Sequence, residues 1–451
     1  MTGPEPIYVT QLGAKGDGQA LDSPAIQKAL DQAAEHGGGA VVLSPGRYRC
    51  GTLVVRSNVA LEIQAGATLV ASHDLADFPQ RDSGQQQDYG GRHLILMDRA
   101  DNVTLRGAGT IDGQDQAFWQ PSPGPNKWID KKETRVHPLI QCFSCSDLRL
   151  LDVTIINSPG WTVHLHQCDR VFVRGLRISN NMFGPNTDGL AINGCRDVFV
   201  TDTRIDTGED AIALKTTQDS RSCERISVTN CVLRSNCAAF KLGTRSFHDM
   251  RQIVLSNSVL ADSNRGVALH CFDGATFEDI SISNIICDTG SPVPMPRPIH
   301  LDLRRREPSS RMGHIRNVKV TTFNALTTGR ILMTAEDDGY IQNVSLRDLH
   351  LSYPSIDNIP ELKKTFSDPL QFSNNSPEAR WAPAAIVADN VTDLQLTALT
   401  ITWPTEPPAW DWQVLWGRNL RRGLIDCPSV TPLRWSGEKF VLHRGNIRIR
   451  E

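Results

Sequence analysis

Residues 171–215 read VFVRGLRISNNMFGPNTDGLAINGCRDVFVTDTRIDTGEDAIALK, and the stretch holds two copies of one pattern. Val171-Phe172-Val173 opens the first and Val198-Phe199-Val200 the second. Ile226-Ser227-Val228, Ile253-Val254-Leu255 and Ile280-Ser281-Ile282 continue it, so successive starts lie 27, 28, 27 and 27 residues apart. Further members begin near Val103, Leu148, Val318, Val344 and Leu394. Four residues after each of the five evenly spaced starts stands Gly175, Asp202, Asn230, Asn257 or Asn284. These residue types best tolerate a left-handed backbone, so a recurring turn is predicted there. A period near 27 with short β-branched strands and no helical pattern predicts an all-β fold, a right-handed parallel β-helix. The Leu-x-x-Leu-x-Leu signature of leucine-rich repeats is missing.

On this reading residues 1–451 form one domain. Residues 1–40 are an N-terminal cap region, 41–402 the coils and 403–451 a C-terminal cap. Asp22-Ser23-Pro24 followed by AIQKALDQAAEH predicts a helix that closes the first coil. Gln80 to Arg92, Gln120 to His137, the run Pro292 to Pro298 and the stretch Tyr353 to Pro383 read as insertions. Such loops either wall a cleft or are tolerated surface additions. Trp403, Trp410, Trp412, Trp416 and Trp435 read mainly as capping core. Cys145, Cys168, Cys195 and Cys223, spaced 23, 27 and 28 apart, form one column of small buried side chains, with disulfides between coils left open. A straight ladder does not converge four ligands on a point, so no metal site is expected.

Composition excludes several classes. The 47 Lys and Arg nearly balance 50 Asp and Glu, a formal charge of −3, which argues against a strongly basic nucleic-acid binder. No run approaches the ~18 apolar residues of a membrane span. The first residues, MTGPEPIYVTQLG, lack the basic start and apolar core of a signal peptide. As written the chain is expected in the cytoplasm, or in the periplasm or outside the cell if a leader has been trimmed. Its oligomeric state is not legible.

The repeat aligns columns between coils. Apolar pairs set the register: Val163/Leu165, Leu190/Ile192, Ile212/Leu214, Phe240/Leu242, Val267/Leu269 and Ile299/Leu301. Asp188, in Asn186-Thr187-Asp188-Gly189, then falls opposite Asp210, with Glu209 beside it. Like charges this close raise one another's pKa, a cost a fold has little structural reason to accept. Paired carboxylates are what glycoside hydrolysis needs, one protonated for the leaving oxygen and one ionised to activate water. The outward columns run His164, Ala191, Ala213, Lys241, Ala268, His300 and His166, Asn193, Lys215, Gly243, His270, Asp302. Arg265 and Arg297 align with Asp188 and Asp210. These cations either compensate the carboxylates or bind an anionic substrate, and the surplus favours an acidic sugar.

At these residues the chain resembles the polygalacturonase family, glycoside hydrolase family 28, over roughly residues 8 to 350. The segments LGAKGDGQALDSPAIQKALDQAAEHGGGAVVLSPGRY (12–48), GAGTIDGQDQAFW (107–119) and NSPGWTVHLHQC (157–168) carry the likeness. NTDG at 186–189 with GEDAIALK at 208–215 is its sharpest part. The resemblance implies a metal-independent, cofactor-free, inverting hydrolase. In it Glu209 is the general acid, and Asp188 and Asp210 hold and deprotonate the attacking water. Asn186, His164, His166, Lys215, Lys241, Arg265, His270, Arg297 and His300 are the candidate substrate contacts. Three departures stand out. The family's paired Asp is Glu209-Asp210 here, its Gly-His-Gly falls at Cys237-Ala238-Ala239, and its Arg-Ile-Lys falls at Ala268-Leu269-His270. The expected substrate is an oligo- or polysaccharide with uronate sugars, cut from a chain end. A β-helix polysaccharide lyase and a non-catalytic glycan-binding β-helix are the alternatives.

Overall fold

The computed structural model describes residues 5–80, 91–121, 129–131, 135–365, 377–406, 412–426 and 447–449. They pack as two compact units, Met1–Ala213 with Asp219–Val232, and Leu214–Gln218 with Leu233–Glu451.

In the first unit the strands stack in parallel, one coil on the next. Asp169–Arg174 pairs with Arg196–Thr201, setting Val171 opposite Val198 and Val173 opposite Val200. That strand pairs in turn with Cys223–Thr229. The β-branched inward residues are buried while Phe172 and Phe199 point out and stack ring on ring at 5.2 Å. The predicted turns are left-handed at Gly175 (φ 67), Asp202 (φ 53) and Asn230 (φ 54). Asn230 donates across the coils to Asp202 at 3.3 Å.

A second strand series in this unit joins Ile95–Asp98, Ile140–Phe143, Val163–His166 and Leu190–Asn193. It sets Val163 opposite Leu190 and His164 opposite Ala191, the register read from the apolar pairs. Cys145, Cys168, Cys195 and Cys223 are buried free thiols, as are the other described cysteines save half-buried Cys237. Each buried thiol of the column reaches a carbonyl, Cys195 donating to Leu165 at 3.4 Å and Cys223 to Ile192 at 3.7 Å.

The helix Ser23–Glu35 packs Ile26, Ala29, Leu30 and Ala33 against strands Gly39–Leu43 and Val59–Ile63. Its cap differs from the expectation. The Asp22 carboxylate accepts from the Lys15 and Gly16 backbone N–H groups at 2.6 and 3.1 Å, not from the helix. The tighter turn ahead of the helix claims the acceptor first.

The second unit repeats the plan with longer strands. Met250–Ala261 pairs with Thr276–Asp288, and that strand with His314–Leu326. Asn257 (φ 50) and Asn284 (φ 53) occupy the left-handed turn, Asn284 donating to Asn257 at 2.8 Å. Its other series runs Ala238–Ser246, Arg265–Cys271, Arg297–Leu303, Ile331–Ala335 and Ala384–Asp389. Parallel pairing continues past residue 402. Gln413–Arg418 and Arg421–Asp426 add another coil, and Ile447–Ile449 pairs antiparallel on its edge.

Of the insertions, Gln120 to His137 holds an antiparallel pairing of Trp119–Pro121 with Ile129–Lys131. Tyr353 to Pro383 holds the short helices Ile359–Thr365 and Pro377–Arg380. Residues 81–90, 122–128, 132–134 and 366–376, with Trp410 and Trp435, lie outside the described residues. Trp412 is core, edge-on to Tyr353, on which Trp403 also stacks. Among the described residues no helix is long and apolar enough to cross a membrane.

Candidate functional site

The carboxylates belong to the first unit, where two coils meet ahead of the strands Leu190–Asn193 and Ile212–Thr216. Gly189 N–H donates to the Asp210 carbonyl at 2.9 Å and Leu190 N–H to the Ala211 carbonyl at 2.9 Å. That slanted parallel pattern sets Asp188 directly opposite Asp210. Both are nearly covered, at 4% and 3% exposure, while Glu209 is half-buried. Two glycines permit the approach. A Cβ at Gly208 would meet the carbonyls of Met182, Asn181 and Gly184 at 2.8 to 3.0 Å, and one at Gly189 would meet the Ala211 carbonyl at 2.6 Å.

Beneath the carboxylates lies a buried polar network that the sequence pattern did not reveal. Asn180 Nδ2 donates to Thr162 Oγ1 at 2.8 Å, to Thr207 Oγ1 at 3.1 Å and to the Thr187 carbonyl at 3.2 Å. Its Oδ1 accepts Ser158 N–H at 3.0 Å. Thr187 Oγ1 accepts from Gly208 N–H at 3.2 Å, and the Thr207 hydroxyl donates to the Thr187 carbonyl. One side chain thus ties the residue before Asp188 to the residue before Gly208. The signal available was Thr187 and Thr207, each just ahead of an acidic motif. Asn180 itself lies in a turn without periodicity.

Asn186 is exposed and left-handed (φ 52), with its Oδ1 facing Arg135 Nη2 at 3.3 Å. His164 and His166 are covered completely, which corrects the expectation of an open face. His164 Nδ1 hydrogen-bonds Gln141 Oε1 at 2.8 Å and its ring meets Trp161 edge-on at 5.2 Å. Phe143 lies against His166 at 5.1 Å. Aromatic neighbours lie against both rings.

Burial pushes His166 down to about 4, with the Asp219 carboxylate opposing and Arg221 adding to the shift. The ring is therefore neutral when folded, whereas an unfolded histidine takes a proton near pH 6.5. Between those values the unfolded chain binds more protons, so stability falls as pH drops from about 6.5 through about 4. The shift corresponds to roughly 3 kcal/mol at its low end. Urea midpoints of the protein and of His166→Gln, taken at pH 7 and pH 4.5, are expected to converge at the lower pH. An equal gap at both would remove this histidine as the cause.

In the second unit, parallel pairing places Arg265 opposite Arg297, Lys241 opposite Ala268, Ala268 opposite His300 and His270 opposite Asp302. Lys241 is half-buried, and Arg265, Arg297, His270 and His300 are buried, His300 completely, again correcting the open-face expectation. Lys215 is buried on Ile212–Thr216. His270 Nε2 and His300 Nδ1 share a hydrogen bond at 2.9 Å. Burial, then the cations around them, hold both rings well below the usual histidine range, so the pair is neutral. Arg297 donates to the Met295 carbonyl at 2.9 Å. Burial foremost, then neighbouring Arg330 and Arg265, pull its pKa down, Asp302 opposing. Buried cations crowded in this way are stabilised by an anion.

Stacked parallel coils that bring Asp188 opposite Asp210, with Glu209 beside them, define the class by fold as a parallel β-helix with a carboxylate cluster. The sequence comparison makes this specific. The profile of "Glycosyl hydrolases family 28" matches residues 52–361, and the chain belongs to that family. A second profile, "Rhamnogalacturonase A/epimerase, pectate lyase-like", matches residues 7–70. The Vitis vinifera protein named "Probable polygalacturonase" is 31% identical over 222 residues, covering 47% of this chain and 44% of that one. A Zea mays exopolygalacturonase is 26% identical over 296 residues, 63% of this chain and 68% of its own length. The chain thus spans less than half of the grape relative. The solved family 28 exopolygalacturonase of Yersinia enterocolitica superposes with a TM-score of 0.70 at 16% identity, over 93% of this chain and 78% of that one. That likeness shows the fold, a right-handed parallel β-helix.

Proposed function

We propose that the protein is an inverting glycoside hydrolase that removes uronate sugars from the ends of pectic oligosaccharides. The observation that carries the reading is Asp188 opposite Asp210 on hydrogen-bonded backbone, with Glu209 alongside, in a family 28 chain. Relatives named exopolygalacturonase support chain-end action.

In this reading Glu209 gives its proton to the glycosidic oxygen as the bond to the anomeric carbon breaks. Water held by Asp188 and Asp210 attacks that carbon from the opposite face and passes a proton to one of them. The half-buried Glu209 beside the two nearly covered aspartates provides a proton donor and proton acceptors in one patch. No metal is needed for these transfers. Lys241, Arg265, His270 and Arg297 are proposed to hold anionic sugar groups, with Lys215 a further cation. His164, His166 and His300 are proposed as the layer behind the contacts, because they are fully covered.

The products formed from trigalacturonate and polygalacturonate test the chain-end reading. Monomer from the first minutes, with slow loss of polymer viscosity, is expected. Early mixed oligomers would overturn it, and new ultraviolet absorbance would indicate a lyase.

A further inference from the structure

The Gln120–His137 insertion supplies one side chain that the hydrolytic steps do not use. Arg135 is 7% exposed. Its guanidinium acts as a fork. Nη1 donates to the carbonyls of Pro159 and Pro185, each at 2.7 Å, and Nη2 donates to Asn186 Oδ1 at 3.3 Å. The Pro159 carbonyl also accepts the Trp119 indole N–H at 3.0 Å. Two turns are thereby joined, one leading into Trp161-Thr162 and the other into Thr187-Asp188. Burial pushes Arg135 down to about 10, and the charge opposing that fall is Asp188.

A buried guanidinium costs several kcal/mol in lost hydration, and an apolar side chain would fill the space without that cost. Packing alone therefore gives little reason for an arginine here. Its planar fork matches acceptors on separate turns, which a lysine ammonium does not.

We propose that Arg135 is a positioning residue for the water-activating carboxylate, locking the Pro185–Asn186 turn that leads into Asp188. The proposal rests on the reading of Asp188 as the base. Small displacements of a reacting group cost on the order of a hundredfold in rate.

The test compares Arg135→Met, Arg135→Lys, Asn186→Ala and Asp188→Asn in the full chain, with trigalacturonate as substrate and thermal midpoints in parallel. Arg135→Met is expected to lower kcat by about thirtyfold to a hundredfold with KM within about threefold. Arg135→Lys should recover about tenfold of that loss, and Asn186→Ala should lose about fivefold. Unchanged kcat in Arg135→Met beside an inactive Asp188→Asn would overturn the proposal and leave the catalytic reading standing. A loss confined to KM, or one matching the unfolded fraction, would also overturn it. Should Arg135→Met not fold, full kcat in both Arg135→Lys and Asn186→Ala decides against it. Retained hydrolysis in Asp188→Asn would bring down both readings.

Discussion

Asp188→Asn and Glu209→Gln are each expected to lower hydrolysis by about a thousandfold or more while leaving the fold unchanged. Both replacements keep the shape of the side chain and remove one proton-transfer capacity. The amide of Asp188→Asn cannot take a proton from water, and that of Glu209→Gln cannot give one to the leaving oxygen. Neither residue belongs to the strand ladder through its side chain, so circular dichroism and thermal midpoints should stay close to those of the parent. Asp188 is nearly covered and Glu209 half-buried, so bulk buffer cannot readily take over either role. Near-normal activity in both variants would remove these carboxylates from the chemistry. Normal binding with no turnover in the parent as well would favour a glycan-binding β-helix.

The second large effect is expected from Asn180→Leu. This side chain is 7% exposed, and its amide makes four hydrogen bonds. Leucine fills a similar volume and returns none of them. Ser158 N–H and Thr162 Oγ1 have no other hydrogen-bond partner among the described residues, so two buried polar groups lose their bonds. Each such group costs about 1–3 kcal/mol, so the variant should be destabilised by roughly 3 kcal/mol. Hydrolysis should fall further than the folded fraction does, because the Thr187 carbonyl and Thr207 hydroxyl join the two coils behind the carboxylates. Urea midpoints and specific activity measured together check this. A stable variant with parental activity would show that the network does not hold the site.

Much of the architecture was legible because a parallel β-helix writes its period into the chain. The apolar pairs carry the register that sets Val163 opposite Leu190 and Arg265 opposite Arg297. Gly175, Asp202, Asn230, Asn257 and Asn284 all take the left-handed conformation their types suggested. Coverage was not legible. Alternation says which way His164 and His300 point, but Trp161 over His164 comes from outside the repeating strands. Arg135 was missed for the same reason, since it lies in an insertion where no periodicity marks a side chain. Asp22 shows a local limit, because a good capping residue was claimed by an adjacent turn.

The proposal most exposed to contradiction is single displacement at the anomeric carbon. Proton NMR of a trigalacturonate digest, recorded before the product anomers equilibrate, reads the stereochemistry directly. Water held between Asp188 and Asp210 and attacking opposite Glu209 predicts that the first product carries the anomeric configuration opposite to that of the bond cleaved. A first product with retained configuration would mean a covalent glycosyl-enzyme intermediate and would contradict the account.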